Sequence, residues 1–200
     1  MNDREGRPAG LRERTRRAVQ AEIVEAAMRL FLEQGFEATT MEQIASEIGT
    51  SRRSLFRYFG TKEDIVLGDH ADHGKVLQAA LEARPAHEPP WEALRAALKQ
   101  LVESLPYSPR DFLKITSMLH ASPSLRARQH EKRQQWTELL VPDIARRLGA
   151  AADPMAEVRA RALVACALSC SEVATEVWVR SEGTVDMEQA FDEAVAAVRG

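Results

Sequence analysis

The chain has 200 residues, 44% of them hydrophobic and 28% charged, with a formal net charge of −3. That balance is in the range of a globular protein, so disorder is not the default reading, and the length suits one large domain or a small domain fused to a larger one. No apolar run approaches the roughly 18 residues of a membrane span, and the polar, arginine-rich start is no secretory signal, so no membrane partner is expected and the expected place is the cytoplasm.

Residues 1–11, with Gly6, Pro8 and Gly10, read as a disordered arm. Arg4, Arg7, Arg12, Arg14, Arg16 and Arg17 make the arm and its junction basic. Such an arm either reaches a minor groove and nearby phosphates or is a solvated tail. A first helix is expected from Arg12 to Gln34, with Val19, Ile23, Ala27, Leu30 and Phe31 on one face and Gly35 as its stop.

The stretch from Thr39 to Lys62, TTMEQIASEIGTSRRSLFRYFGTK, carries the most specific pattern in the chain. Met41, Ile44, Ala45 and Ile48 mark one face of a second helix, with Thr40 as N-cap and Gly49 as stop. Ser51 caps a third helix that turns Leu55, Phe56 and Phe59 inward and Arg52, Arg53, Ser54 and Arg57 outward. Two short helices across a tight glycine turn form a helix-turn-helix, whose second helix lies in the DNA major groove. Guanidinium forks suit guanine edges and phosphates, and hydroxyls suit phosphates. A charged, solvated face on an ordinary helical hairpin is the alternative. Residues 1–62 hold 11 Lys/Arg and 9 Asp/Glu against 16 and 21 in the remainder, so the mild positive excess lies with this stretch.

A fourth helix is expected from Lys62 to Arg84, with Thr61 as N-cap and Glu63 and Asp64 in the first turn. It carries Asp69, His70, Asp72 and His73, which could hold a metal or simply form a polar face; with no further ligand set visible, no metal or cofactor is expected. Beyond Pro85, Pro89 and Pro90, a fifth helix runs from Trp91 to Ser104. Pro106, Ser108 and Pro109 precede a sixth from Arg110 to Ala121. Ser122-Pro123 starts a seventh segment to Gly149, which Pro142 must kink or split because it lacks an amide proton. Asp153-Pro154 opens the eighth helix, to about Ser181, and the ninth runs from Asp186 to Val198. Cys166 and Cys170, one helical turn apart, read as packed thiols and not as a disulfide.

The eighth helix is apolar or small around much of its circumference, which calls for burial on more than one side. A homodimer through helices eight and nine is the expected answer. No strand pattern, phosphate loop or hydrolase motif appears, so the fold is read as all-α and the chain is not read as an enzyme. The expected plan is a three-helix helix-turn-helix domain at 12–61 and a six-helix ligand-binding and dimerisation domain at 62–200. Phe112, Met118, His120, Trp136, Leu140, Cys170 and Trp178 are the candidate lining of a ligand pocket in the second domain.

The residues IASEIGTSRRSLFRYFGTKEDIV resemble the DNA-binding module of the tetracycline-repressor (TetR) family, with Ile44, Ala45, Gly49, Ser51, Leu55, Tyr58, Phe59 and Lys62 in register. The departures are Ile48 for alanine, Thr50 for valine and Phe56 for tyrosine. Phe56 lacks the hydroxyl that the family's tyrosine offers the DNA backbone. Together the outward face and the resemblance nominate Thr39, Thr40, Ser51, Arg52, Arg53, Ser54, Phe56, Arg57, Tyr58 and Lys62 as contacts to a double-stranded operator. The resemblance implies a dimeric regulator, most often a repressor, released from a pseudo-palindromic operator by a small apolar effector. The C-terminal half, around ASPSLRARQHEKRQQW, resembles regulators of the mycofactocin-regulator type, which implies an acyl-CoA-like ligand domain.

Overall fold

The computed structural model describes residues 10–67, 70–105, 107–149 and 154–199, and of residues 13, 70–72 and 154 only the backbone. Residues 1–9 of the expected arm, the breaker Pro106 and the cap Asp153 therefore lie outside the described residues, while the arm's last two residues are the N-cap Gly10 and first residue Leu11 of the first helix. The chain divides into two compact units, Met1–Gly68 and Asp69–Gly200. All ten elements found among the described residues are helices, so the fold is all-α.

The first unit holds α1 (Leu11–Gln34), α2 (Met41–Glu47), α3 (Arg52–Phe56) and α4 (Lys62–Leu67). The expected stripe of α1 is its buried face: Ile23, Ala27 and Phe31 are fully enclosed, with the Phe36 ring tilted against that of Phe31 at a centroid distance of 5.0 Å. Gly35, at φ +89°, ends the helix in a conformation that side-chain-bearing residues rarely adopt. Thr40 forms a capping box with Gln43, its hydroxyl accepting from the Gln43 amide at 3.2 Å while the Gln43 side chain accepts from the Thr40 amide at 2.8 Å. Gly49, at φ +66°, turns the chain back so that the Thr50 amide reaches the Ala45 carbonyl at 2.8 Å. Ile44, Ala45, Leu55 and Ile65 close this small core. Each large side chain buried there contributes about 1.5–3 kcal/mol.

The second unit holds α5 (His70–Glu82), α6 (Pro90–Glu103), α7 (Pro109–Ala121), α8 (Pro123–Arg147), α9 (Pro154–Arg180) and α10 (Met187–Arg199). Its core is built from Leu77 and Leu81 of α5, Leu94 of α6, Leu140 and Ile144 of α8 and Val164 of α9. The helix α9 packs against α6, α7, α8 and α10, which makes it the spine of this unit.

The helix expected from Lys62 to Arg84 is described over α4 and α5, helical from Lys62 to Leu67 and from His70 to Glu82, with residues 68 and 69 outside the described residues and α4 packed on α1 in the first unit. Two expectations need correction. The helix α8 runs unbroken through Pro142. Pro142 and Glu138, whose carbonyl loses its amide partner, are both exposed residues, so the orphaned oxygen lies on the solvent side of the helix. Finally, α9 is long and apolar enough to cross a membrane by length and composition, contrary to the expectation that no such run exists. Its place as the packed spine of a helical bundle accounts for that composition.

Candidate nucleic-acid interface and apolar cavity

The turn from α2 into α3 sets the angle at which arginines leave the first unit. Ser51 caps α3 by accepting from the Ser54 amide at 3.1 Å and donates to the Ser54 hydroxyl at 3.0 Å, so both hydroxyls sit at the helix start. Leu55 is fully buried beneath them and pins the helix to the core. Arg52, Arg53 and Arg57 are exposed on the opposite side. The three are not equivalent. Arg52 is paired with Glu42 at 2.6 Å and lies over the Phe56 ring at 5.2 Å. Arg57 covers the Tyr58 ring at 5.3 Å. Arg53 makes no ion pair or hydrogen bond with the described residues, so its guanidinium is the most available of the three. Phe56 is 40% exposed, an apolar ring on a polar surface.

Two nominated contacts serve the unit's own backbone. Thr39 is 1% exposed, and its hydroxyl donates to the Gly35 carbonyl at 2.8 Å, because the chain must close on the glycine that ends α1. Lys62 donates to the carbonyls of Phe36 at 2.8 Å and Thr39 at 3.4 Å, and its ammonium lies 4.3 Å from the Phe36 ring centroid. It therefore anchors the loop between α1 and α2, and any phosphate it meets competes with those carbonyls. Thr40 is exposed, with its hydroxyl engaged in the capping box. Sequence gave no signal for the loop anchoring, since the partners of Lys62 are backbone atoms more than 20 positions earlier.

In the second unit, a cavity of about 170 Å³ opens between α6, α7, α8 and α9. Its wall combines Leu98, Leu101, Phe112, Leu119, Trp136 and Leu168 with the polar groups of Thr116, His120, Gln129, Ser171 and Thr175. Its charged members are Lys132, Arg133 and Glu172. The Arg133 guanidinium donates to the Glu172 carboxylate and ties α8 to α9 beside the opening. That bond holds the Glu172 carboxyl below the usual carboxylate range, against a smaller upward push from burial and with help from the nearby His120 and His130.

Of the seven expected lining residues, Phe112, His120 and Trp136 come together here. Met118 lies off the lining face of α7, about 120° around the helix from Phe112 and about 160° from Thr116. Cys170 lies half a turn from Leu168 on α9 and is buried in the core, where burial pushes its thiol up. Leu140 shares the face of Trp136 one turn further along α8, where the bundle is closed. Trp178 lies beyond the wall with its ring 5.4 Å from that of Phe112.

Trp136 has a second neighbour that periodicity does not reveal. A Cβ placed on Gly74 of α5 would lie 2.7 Å from its Cδ1 and 3.2 Å from Leu139 Cδ1. Only a glycine lets α5 approach the cavity wall this closely.

Two further hollows, about 280 and 360 Å³, lie along α6 and α10, and their walls carry the network of Arg95 and Lys99 with Glu188 and Asp192. As to the metal alternative, Asp69 lies outside the described residues, as do the side chains of His70 and Asp72. Among the described residues, no three His, Cys, Asp or Glu side chains are gathered to hold an ion.

Against known proteins, residues 23–68 match the family model of bacterial regulatory proteins of the tetR family, and residues 88–200 match that of the MftR C-terminal domain. The chain is 29% identical over 199 residues to the HTH-type transcriptional regulator TcmR of Streptomyces glaucescens, covering 95% of this chain and 87% of the relative. It is 31% identical over 186 residues to MftR of Mycobacterium tuberculosis, covering 90% of each. Among solved structures, the Thermus thermophilus repressor FadR, crystallised with lauroyl-CoA, superposes with a TM-score of 0.55 at 23% identity, over 88% of this chain and 91% of that one.

Proposed function

The chain belongs to the TetR family of bacterial transcriptional regulators, and from that premise we propose a one-component repressor that binds a pseudo-palindromic operator as a homodimer and lets go when a small apolar molecule enters the second unit. As a member of that family it is a DNA-binding regulator and not an enzyme. The observation that carries the reading is the start of α3, where two hydroxyls and an unengaged Arg53 face solvent above a buried Leu55. In the major groove, Arg53 reads a guanine edge, Arg52 and Arg57 contact phosphates, and the exposed Phe56 ring meets a thymine methyl. The site of action is the cytoplasm, where the DNA is.

The homodimer rests on apolar surface left uncovered on the last two helices. Met155, Val158 and Val173 of α9 and Val198 of α10 are each about half exposed. A second copy of the chain covers such a surface with its own α9 and α10, as a four-helix bundle. Leu168 faces the cavity wall, so charged substitutions belong at Val158 and Val173. Val173→Asp converts the dimer to monomer in sedimentation and weakens operator binding with it. A wild-type monomer at micromolar concentration would refute the assembly and the paired half-sites.

The effector part of the reading rests on the cavity and its apolar wall. FadR resembles this chain in fold alone, so its lauroyl-CoA says only that a body of this architecture admits an acyl thioester. The cavity here is smaller than the roughly 300–1,000 Å³ of most ligand sites. That observation favours one second reading, a constitutive DNA-binding protein with no effector. The deciding experiment selects bound duplexes from a random pool, then titrates the selected operator complex with apolar acids, neutral analogues and acyl thioesters. Release by any of them supports the sensor; a complex indifferent to all of them leaves the constitutive binder.

A further inference from the structure

We infer that Glu42 is a specificity-determining residue: by holding Arg52, it weakens binding to DNA of any sequence more than it weakens binding to the operator. The inference rests on the DNA-reading proposal given above and adds the residue that governs discrimination.

Glu42 and Arg52 stand at the starts of the two motif helices, and the Arg52 Nη1 donates to the Glu42 Oε1 at 2.6 Å. Their side chains are 54% and 62% exposed. An exposed pair of this kind adds little to stability, and salt screens what it adds. Neither helix depends on it. The helix α2 is held by the Thr40–Gln43 capping box and by buried Ile44 and Ala45, and α3 by Ser51 and buried Leu55. What Glu42 does change is the charge that this surface presents. From Thr39 to Lys62 the acids are Glu42 and Glu47, and Glu47 is paired with Arg29 of α1. Glu42 is thus the acid set against the arginines of α3, and it sits on Arg52.

Binding without regard to sequence scales with the number of phosphates that cations neutralise, because each neutralised phosphate releases counterions. A guanidinium must give up its carboxylate before it can add to that number. Glu42 therefore withholds about one phosphate contact per subunit from sequence-independent binding. In the operator complex, where the base contact of Arg53 fixes the register, the same pair works in the other direction. The Glu42 carboxylate on one side and the Phe56 ring, 5.2 Å from the guanidinium carbon, on the other hold the Arg52 fork in place. A fork that spends Nη1 on Glu42 keeps further donors for one phosphate. A side chain that is already ordered loses less freedom on docking than a free one. That gain exists only in a fixed register, since a protein sliding along other sequences meets phosphates in many positions. The acid lowers affinity everywhere and restores part of it only at the operator.

The test uses the whole purified protein, a duplex that it enriches from a random pool and a scrambled duplex of the same composition. Affinities are measured by fluorescence anisotropy from about 50 to 200 mM salt. Glu42→Gln is expected to tighten the scrambled duplex roughly three- to tenfold at the lowest salt and to steepen its log–log salt slope by about 0.9 per bound subunit. The enriched duplex stays within about twofold, because the lost acid is offset by the lost hold on Arg52. Glu42→Asp, which keeps the charge, keeps the wild-type slope. In an Arg52→Gln background, Glu42→Gln no longer steepens the slope, since its effect passes through Arg52. A purely structural tie between α2 and α3 would move the thermal midpoint and leave the slope alone. Equal slopes for wild type and Glu42→Gln on the scrambled duplex overturn the proposal while leaving the DNA-reading proposal standing. The same holds if Glu42→Gln steepens the slope as much without Arg52, or if discrimination rises. Enrichment of no duplex from the pool overturns both.

Discussion

The two units place the side chains proposed to work in opposite surroundings. In the first, the arginines of α3 stand in solvent, and what lies behind them is a small core pinned by Ile44, Ala45 and Leu55. In the second, the working side chains face inward, between helices whose own packing defines the cavity. A protruding side chain can be removed without disturbing the fold that presents it. A side chain in a cavity wall is both the site and part of its scaffold. If the first unit reads DNA and the second senses a ligand as proposed, they fail differently under mutation: the first loses affinity at constant stability, the second loses both together.

The largest expected effect breaks the second unit alone. Asp143 and Arg147 are buried to 2% and 3% side-chain exposure and bonded at 2.5 Å. Arg147 also donates to the carbonyls of Leu81 at 2.8 Å and Pro85 at 2.6 Å, satisfying the C-terminal end of α5. Removing either partner breaks a buried pair, leaving Asp143 only the exposed Arg146 and Arg147 only backbone carbonyls, at about 3–5 kcal/mol. Arg147→Ala should lower the thermal midpoint sharply and expose α5 amides to hydrogen exchange. If Arg147→Ala and Asp143→Ala each cost less than 1 kcal/mol, within what exposed pairs contribute, the clamp is not what holds α5.

A smaller effect tests the coupling of wall and scaffold. Ala is favoured over Gly within a helix by about 1 kcal/mol, but at Gly74 the added methyl meets Trp136 at 2.7 Å. Overpacking of that kind costs about 1–3 kcal/mol and wins. Gly74→Ala should therefore destabilise the second unit and distort the cavity, whereas Gly74→Ala with Trp136→Leu should recover most of the loss. A double-mutant cycle in thermal unfolding measures the interaction. Additive single effects would mean that α5 and Trp136 are not in contact.

How much could be read in advance follows the same divide. The helix starts at Thr40, Ser51 and Thr61 were legible because a cap is a contact between residues three apart. The outward arginines were legible because the motif is contiguous and Leu55 fixes its phase. The tie from Arg133 to Glu172 spans 39 positions, and that from Arg95 to Asp192 spans 97. Nothing local marks either. Met118 and Cys170 have the right chemistry for a pocket wall, yet helical phase turns them from it, and phase relative to a cavity exists only after packing. Lys62 looked like a phosphate contact because its charge is readable and its backbone acceptors are not.

The first unit offers the complementary test. Arg53→Ala should cost about 1–3 kcal/mol of operator affinity and relax the choice of base at one position, with no change in thermal midpoint. Arg52→Ala should cost less, since Glu42 already holds that guanidinium. Lys62→Ala should lower stability as well as affinity, because three loop carbonyls lose their donor. Equal losses for Arg52→Ala and Arg53→Ala at equal salt dependence would assign both to phosphates and move base reading elsewhere.

The smallest effect sharpens the comparison by asking how the second unit's surface ties respond to acid. Arg95 of α6 donates to Asp192 at 2.6 and 2.7 Å and to Glu188 at 2.8 Å, and Lys99 donates to Glu188 at 2.7 Å. The hydrogen bond from Arg95 holds the Asp192 carboxyl below its usual range, and that from Lys99 does the same for Glu188; burial opposes both only in part. A carboxyl depressed in the folded state contributes stability that is complete above its unfolded value, near pH 4, and is lost as pH falls through the depressed folded value. From pH 7 down to about 5, the attachment of α10 to α6 should therefore be unchanged. Below about pH 4 it should loosen, with α10 amides exchanging before those of the buried core. The groups are largely exposed, so the effect is small and screened by salt. Arg95→Gln removes the shared donor and should flatten the acid limb of the α10 exchange profile while leaving the first unit's profile untouched. An acid limb of the same depth in Arg95→Gln would show that α10 is held by Phe191 and its apolar neighbours alone.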